Sequence, residues 1–284
     1  MKIAITGATG QLGQQVIQHL ISLSNEHHIV ALVRHPEKAA SFKAQGIKVR
    51  HFDYDHIETL EPALEGIDKL LLISGNEIGR RTPQHQAVID AAKAAGVPYI
   101  AYTSLLNADH SVLGLAQEHR ETEQMIRESG LSYTLLRNNW YVESYLGSLQ
   151  HDIASGVIYG ASGEGRISAA TRSDYAEATA RVLLSPVLSN QTYELAASQS
   201  FTKAELAAAI AQFANQPVRY ENLSADAHQA DLIQAGLPEG LASFLAEVDL
   251  KTADGAMLTE SRDLEQLLGR PTTSLIHAIQ SLLL

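Results

Sequence analysis

The stretch Lys2-Ile3-Ala4-Ile5-Thr6-Gly7-Ala8-Thr9-Gly10-Gln11-Leu12-Gly13 decides how this chain folds. Lys2 to Ile5 reads as a short apolar strand, and Val16, Ile17, Leu20 and Ile21 then recur at helical spacing. Glycines at 7, 10 and 13 place G-x-x-G-x-x-G between the two elements. A turn without side chains lets backbone N–H groups approach a pyrophosphate, and the N-terminus of the next helix sets partial positive charge beside it. The spacing would also serve a plain glycine-rich turn, but its place after a strand and before a helix points to a dinucleotide site. Gly7, Ala8, Thr9, Gly10, Gln11 and Leu12 are the candidate cradle.

The alternation continues outward. His28 to Val33 reads as a second buried strand, followed by a short helix over Lys38 to Phe42. Gly46 to Phe52 reads as a third strand, Ile57 to Leu64 as a helix, and Lys69 to Ser74 as a fourth strand whose apolar run suits burial on both faces. A helix over Thr82 to Ala95, a strand over Val97 to Ser104, a helix over Ala116 to Glu128 and a strand over Ser132 to Arg137 follow. Strands and helices alternating in this way form right-handed parallel βαβ units, with ligands at the carboxyl ends of the strands. After Arg137 the pattern loosens. Asn138 to Tyr145 is aromatic and polar, and Gly156 to Gly165 is glycine-rich. A helix runs to Leu184 with Ser173 or Asp174 as its expected N-cap. Thr192 to Ala196 and Val218 to Glu221 read as strands, Thr202-Lys203-Ala204-Glu205 as a capping box, and the chain from Ala225 on as mostly helical. The expected fold class is therefore α/β: a Rossmann-type doubly wound parallel sheet over residues 1–137, with a smaller mixed lobe over 138–284. The chain is expected to cross back to the core sheet around 170–197.

Composition narrows the function. With 284 residues and 45% hydrophobic content, a substantial core can form. The absence of cysteine excludes disulfides, thiolate catalysis and cysteine-based metal sites, and fits a reducing compartment. A formal charge of −11 with no long basic run argues against nucleic acid or an anionic membrane as a partner. No apolar stretch approaches the roughly 20 residues of a membrane span, and the chain begins on a strand, so a cytoplasmic protein is expected. The twelve histidines show no H-E-x-x-H or comparable spacing, so no metal site is expected. No G-x-S-x-G turn indicates a serine hydrolase. The terminal Leu282-Leu283-Leu284 suits lobe packing or a subunit interface, which keeps a homodimer among the candidate assemblies.

Arg34 ends the second strand about twenty residues after the glycine turn, where NAD-selective folds place a carboxylate for the ribose hydroxyls. A 2′-phosphate would repel a carboxylate and attract a guanidinium. With His35 and Lys38 close by, the position favours NADPH; the alternative is a solvated arginine. Ser74-Gly75-Asn76 and Glu77 follow the fourth strand, and Thr103-Ser104 end the fifth. Their polar groups either line the nicotinamide ribose, together with Asn138, or satisfy backbone groups at strand ends.

Several motifs are specific to a family. Gly7 to Gly13 resembles the glycine turn of extended and atypical short-chain dehydrogenases. Tyr102-Thr103-Ser104, His119-Arg120-Glu121-Thr122-Glu123 and Ser129 to Arg137 resemble the NmrA-like branch. Asn138-Asn139-Trp140-Tyr141-Val142-Glu143-Ser144-Tyr145, with Ala170 to Tyr175, resembles the bacterial type 2 NAD(P)H:quinone oxidoreductases, and the likeness extends to Asn222-Leu223-Ser224 and Gly236 to Leu241. The resemblance implies an NADPH-dependent reduction of quinones by direct hydride transfer, without flavin. The Tyr-x-x-x-Lys pair of catalytic short-chain dehydrogenases falls here on Leu115 and His119, so the usual proton donor is missing. A quinone tolerates that loss, because hydride addition gives an aromatic hydroquinone anion that water can protonate. Asn139, Trp140, Tyr141 and Tyr145 are the candidate substrate residues, their aromatic rings serving either a flat stacking pocket or packing between the lobes. His119 is the candidate catalytic residue, or else an ordinary helix histidine. The alternative function is a non-catalytic NADP(H)-binding redox sensor that reports to a partner protein.

Overall fold

The computed structural model describes residues 1–24 and 28–283, without the side chains of 282 and 283. The reading of the terminal leucine triplet as an interface therefore lies outside the described side chains. The chain divides into two compact units: residues 1–110, 115–138 and 172–195 form the first, and residues 111–114, 139–171 and 196–284 the second.

The first unit is built on seven strands of the nine in the described residues: β1 (Lys2–Ile5), β2 (His28–Val33), β3 (Lys48–His51), β4 (Lys69–Leu72), β5 (Tyr99–Leu105), β6 (Ser132–Asn138) and, after β7 of the second unit, β8 (Gln191–Leu195). They lie in the order β3-β2-β1-β4-β5-β6-β8. Every pairing is parallel; Ile3 stands opposite Ile29 on one side and Lys69 on the other. The strand order reverses about β1, so the crevice for a ligand opens at the carboxyl ends of β1 and β4. Helices α1 (Gln11–Leu23), α2 (Ala40–Ala44), α3 (Leu60–Leu64), α4 (Arg81–Ala94) and α5 (Ala116–Glu128) supply the crossovers, with one-turn 3-10 segments leading into α2 and α3.

Alternation along each strand decides what packs where. Ala4, Val30, Leu32, Leu70, Leu72 and Ile100 share a face and bury themselves against Leu60, Leu64, Val88, Ile89 and Ile126 from α3, α4 and α5. On α1, Leu12, Val16, Ile17 and Leu20 form the buried stripe. That helix packs along α8 (Arg172–Leu184), where His19 Nε2 meets Ser173 Oγ at 3.1 Å. Because α8 begins at Arg172, Ser173 and Asp174 sit inside its first turn, and neither is the N-cap expected from the sequence. At the other end, Lys69 Nζ donates to Leu183 O at 2.9 Å and Ser185 O at 2.5 Å, supplying donors to carbonyls the helix leaves open.

After β6 the chain leaves for the second unit and returns at α8 and β8, so Gln191–Leu195 is the seventh parallel strand and not part of the lobe. The second unit carries a two-stranded parallel sheet of β7 (Val157–Gly160) and β9 (Arg219–Asn222). Its helices are α6 (Val142–Tyr145), α7 (Leu149–Ser155), α9 (Lys203–Ala214), α10 (Ala225–Gln234), α11 (Glu239–Ala253), α12 (Asp263–Leu268) and α13 (Leu275–Leu283). Both halves of the capping box are present on α9: Thr202 Oγ1 accepts from Glu205 N, and the Glu205 carboxylate accepts from Thr202 N. The buried Lys203 meets Asp249 on α11 at 2.5 Å, and the same carboxylate oxygen accepts from Ala161 N at 2.8 Å. Among the described residues no helix is long and apolar enough to cross a membrane.

Candidate active site

A cavity of about 660 Å³ opens in the first unit at the carboxyl ends of β1, β2 and β4. Of the residues selected from the sequence, Gly7, Thr9, Gly10, Arg34, Ser74, Gly75, Asn76 and Glu77 line it. Gly7 adopts φ +57°, the left-handed turn that redirects the chain from β1 into α1. A Cβ on Gly13 would stand 2.4 Å from Gly7 O and 2.9 Å from Ala8 Cα, so the third glycine lets α1 seat directly on the turn. Gly10 is the N-cap of α1 and no side chain accepts from the helix's first N–H groups. Those open donors, the glycine cradle and the helix dipole fit the pyrophosphate of a dinucleotide. Ala8 and Leu12 are buried and can contribute only through their backbone.

Arg34 directly follows β2 at the cavity rim, with its side chain 56% exposed. Its Nη1 lies 3.5 Å from Glu77 Oε1, and Glu77 Oε2 in turn meets Arg80 at 2.7 Å. His35 and Lys38 line the same rim and add basic character. Leu32, Phe42, Phe52 and Tyr54 give that end an apolar wall, which the motif-based reading did not select. Their signal was positional: all lie at or just beyond the carboxyl ends of β2 and β3, or on the helix after β2.

The other polar candidates divide. Thr103 is buried at the end of β5, where Oγ1 accepts from Ser74 N at 2.9 Å and so fixes the loop after β4. Asn138 ends β6; its backbone O accepts from Leu106 N, whereas Oδ1 and Nδ2 are buried with no hydrogen-bond partner among the described residues. Neither Thr103 nor Asn138 lines the cavity. His119 lies in the first turn of α5, buried, with Nδ1 2.8 Å from Tyr102 Oη. Burial, aided by the charge of Arg81, pushes its pKa down to about 3, and the ring is neutral at neutral pH. Within the second unit, Asn139 is internally satisfied: Nδ2 donates to Met257 O at 2.9 Å and Oδ1 accepts from Trp140 N at 2.8 Å. The Trp140 ring lies 6.2 Å from that of Phe244, and Tyr145 packs edge-on to Phe201 at 5.9 Å with its hydroxyl buried and unpartnered. Tyr141 bridges to Ala170 just before α6. Among the described residues no cluster of three or more His, Cys, Asp or Glu side chains could hold a metal ion.

His85, like His119, is buried, and desolvation with the nearby Arg81 charge pushes it down to about 4. A histidine whose folded pKa lies below its unfolded value of about 6.5 binds fewer protons when folded. Its full stabilisation is present above pH 6.5 and is lost as pH falls through the folded values near 4 and 3. The two rings together should remove on the order of 8 kcal/mol of stability across that window. Urea unfolding between pH 7 and pH 4 checks this, and His119→Gln should flatten the decline.

The chain belongs to the NmrA-like family, whose match covers residues 1–275. Quinone oxidoreductase 2 of Escherichia coli K12 is 50% identical over 280 residues, covering 99% of this chain and 98% of that protein. The crystal structure of that NADPH-dependent enzyme complexed with NADPH superposes with a TM-score of 0.96, over 99% of this chain and all of the other. The Citrobacter sp. triphenylmethane reductase complexed with NADP(H) is 37% identical, with a TM-score of 0.95 over 98% of this chain and 99% of that one.

Proposed function

We infer that this protein is an NADPH-dependent oxidoreductase that reduces quinones. The observation that carries the reading is the glycine turn opening into a cavity whose rim bears Arg34, in a chain half identical to an NADPH-dependent quinone oxidoreductase over its whole length. Bound NADPH supplies the hydride. Gly7, Thr9 and Gly10, with the N–H groups opening α1, hold the pyrophosphate, and Arg34 holds the 2′-phosphate. Ser74 to Glu77, Thr103 and Asn138 serve the nicotinamide half, Thr103 by fixing Ser74. The rings of Trp140, Tyr141 and Tyr145 suit a flat quinone. Asn139 supports that stretch by holding Trp140 N and Met257 O. A buried neutral His119 carries no acidic imidazolium proton at neutral pH, so protonation of the aromatic hydroquinone anion falls to water. A cytoplasmic location belongs to the same proposal, because a cysteine-free chain using reduced cofactor fits a reducing compartment. A homodimer remains part of it as the candidate assembly.

The test is oxidation of NADPH in the presence of a simple para-quinone, against NADH and against no acceptor. Quinone-dependent turnover with NADPH preferred is the expected result. Tight NADPH binding without turnover on any quinone would overturn it in favour of a redox sensor.

A further inference from the structure

We propose that His85 is a positioning residue for NADPH: with Arg81 it clamps the peptide groups of Gly75, and so fixes the loop after β4 against the cofactor. The proposal rests on the reading of the cavity as the NADPH site.

Gly75 lines that cavity and has no side chain by which to be held. Its position is set through its backbone. Gly75 N–H donates to His85 Nε2 at 3.0 Å, and Gly75 O accepts from Arg81 Nε at 2.5 Å. Arg81 and His85 stand four residues apart on α4, so they share one face of the helix. Behind them, His85 Nδ1 lies 2.9 Å from Thr122 Oγ1 on α5, and Thr122 Oγ1 donates to Glu118 O at 2.8 Å.

Proton bookkeeping then leaves one arrangement. Nε2 accepts from Gly75, so it carries no proton, and the single ring proton sits on Nδ1, pointing at Thr122. Thr122 spends its own proton on Glu118 O. Every donor in the chain has an acceptor only while His85 is neutral; an imidazolium would set two donors against each other at Gly75. The burial that lowers His85 to about 4 keeps that neutral form at working pH. Arg81 Nη1 faces Glu118 Oε2 at 3.8 Å, an ion pair without a hydrogen bond between them, while Glu118 Oε1 accepts from Gly79 N at 2.9 Å. His85 is fully buried and does not itself line the cavity, so it acts on the cofactor only through Gly75.

His85→Phe keeps a ring and deletes the acceptor, whereas His85→Gln restores a carbonyl acceptor. The measurements are NADPH affinity by fluorescence titration, amide hydrogen exchange over residues 74–77, and KM for both substrates. In the unaltered protein, NADPH should slow exchange at 74–77 and over the turn at 7–13. His85→Phe should weaken NADPH binding about tenfold, the usual effect of orphaning one buried donor. It should also speed exchange at 74–77 and raise KM for NADPH while leaving KM for quinone unchanged; His85→Gln should recover most of the loss. If His85→Phe does not fold, Arg81→Gln tests the other jaw of the clamp by the same readouts. Wild-type NADPH affinity in a folded His85→Phe, or in Arg81→Gln where that variant carries the test, overturns the clamp alone. Unchanged exchange at both 7–13 and 74–77 on adding NADPH to the unaltered protein overturns the cavity as the cofactor site, and the clamp with it.

Discussion

Replacing Arg34 by Glu should lower kcat/KM for NADPH by a factor on the order of 100 to 1,000 and change that for NADH by no more than a few-fold. The guanidinium sits at the end of β2, on the cavity rim, at the position where the fold meets the adenosine ribose. A 2′-phosphate bound there would accept charge-assisted hydrogen bonds worth roughly 1.5–3 kcal/mol each. Deleting them accounts for one to two orders of magnitude, and the introduced carboxylate adds repulsion at close range. Solvent limits that repulsion, because the side chain is 56% exposed. Glu77 lies 3.5 Å from Arg34 and would face a second carboxylate in the variant, which adds to the negative field around the phosphate. NADH carries a hydroxyl at this position and loses little. Steady-state kinetics with each cofactor at fixed quinone provides the measurement. An equal loss for both cofactors would remove Arg34 from the phosphate site.

The place of Arg34 at the cavity rim was legible from sequence because it depends on order along the chain: a glycine turn, a helix, a strand, then a basic residue. The same is true of the sheet. Runs such as Ile3-Ala4-Ile5 and Leu70-Leu71-Leu72 are apolar at every position, and each of those residues is fully buried. An uninterrupted run is what a strand covered on both faces must show. The seventh strand, expected where the chain crosses back around 170–197, is less plainly marked. Gln191 to Leu195 is exposed at its start and half-buried in the middle, so its periodicity carries no label for the core sheet. Its pairing with β6 spans an excursion through the whole 139–171 segment, and local pattern does not encode which distant strand it will meet.

Polar residues were less legible than apolar ones for a related reason. A buried polar side chain is defined by its partner, and the partner is usually remote in sequence. Asn139 reads as a ligand contact beside an aromatic cluster, yet its amide meets Met257 O, 118 residues away. No sequence motif marks His85, and its contacts to Gly75 and Thr122 follow from how α4 and α5 pack. Thr103 read as a strand-end hydroxyl for either the ribose or a backbone group, and only the fold shows that its Oγ1 accepts from the backbone N–H of Ser74, 29 residues away.

Arg137 shows this in its strongest form, and Arg137→Met should cost about 3–5 kcal/mol of stability, the usual penalty for removing one partner of a buried charge pair. The guanidinium is 6% exposed and collects three carboxylates from three parts of the chain. It reaches Glu123 on α5 at 2.7 Å, Glu194 on β8 at 2.8 Å and Asp109, beyond β5, at 2.8 Å. Glu194 also accepts from the N–H of Asn107, which holds a left-handed φ of +52°, so the network secures the turn after β5. Glu123 is completely buried, and without Arg137 it keeps only Arg127 at 2.8 Å and Ser104 at 2.6 Å. Asp109 is half exposed and can return to water at little cost, so the penalty centres on Glu123. A second substitution decides between this account and simple loss of packing. Glu123→Met added to Arg137→Met removes the stranded charge and should recover part of the loss, because apolar pairs often replace buried ion pairs without penalty. Urea unfolding of the two single variants and the double variant closes the cycle. A double variant less stable than the sum of the singles would mean that packing around the guanidinium stem, rather than charge compensation, holds this edge of the sheet.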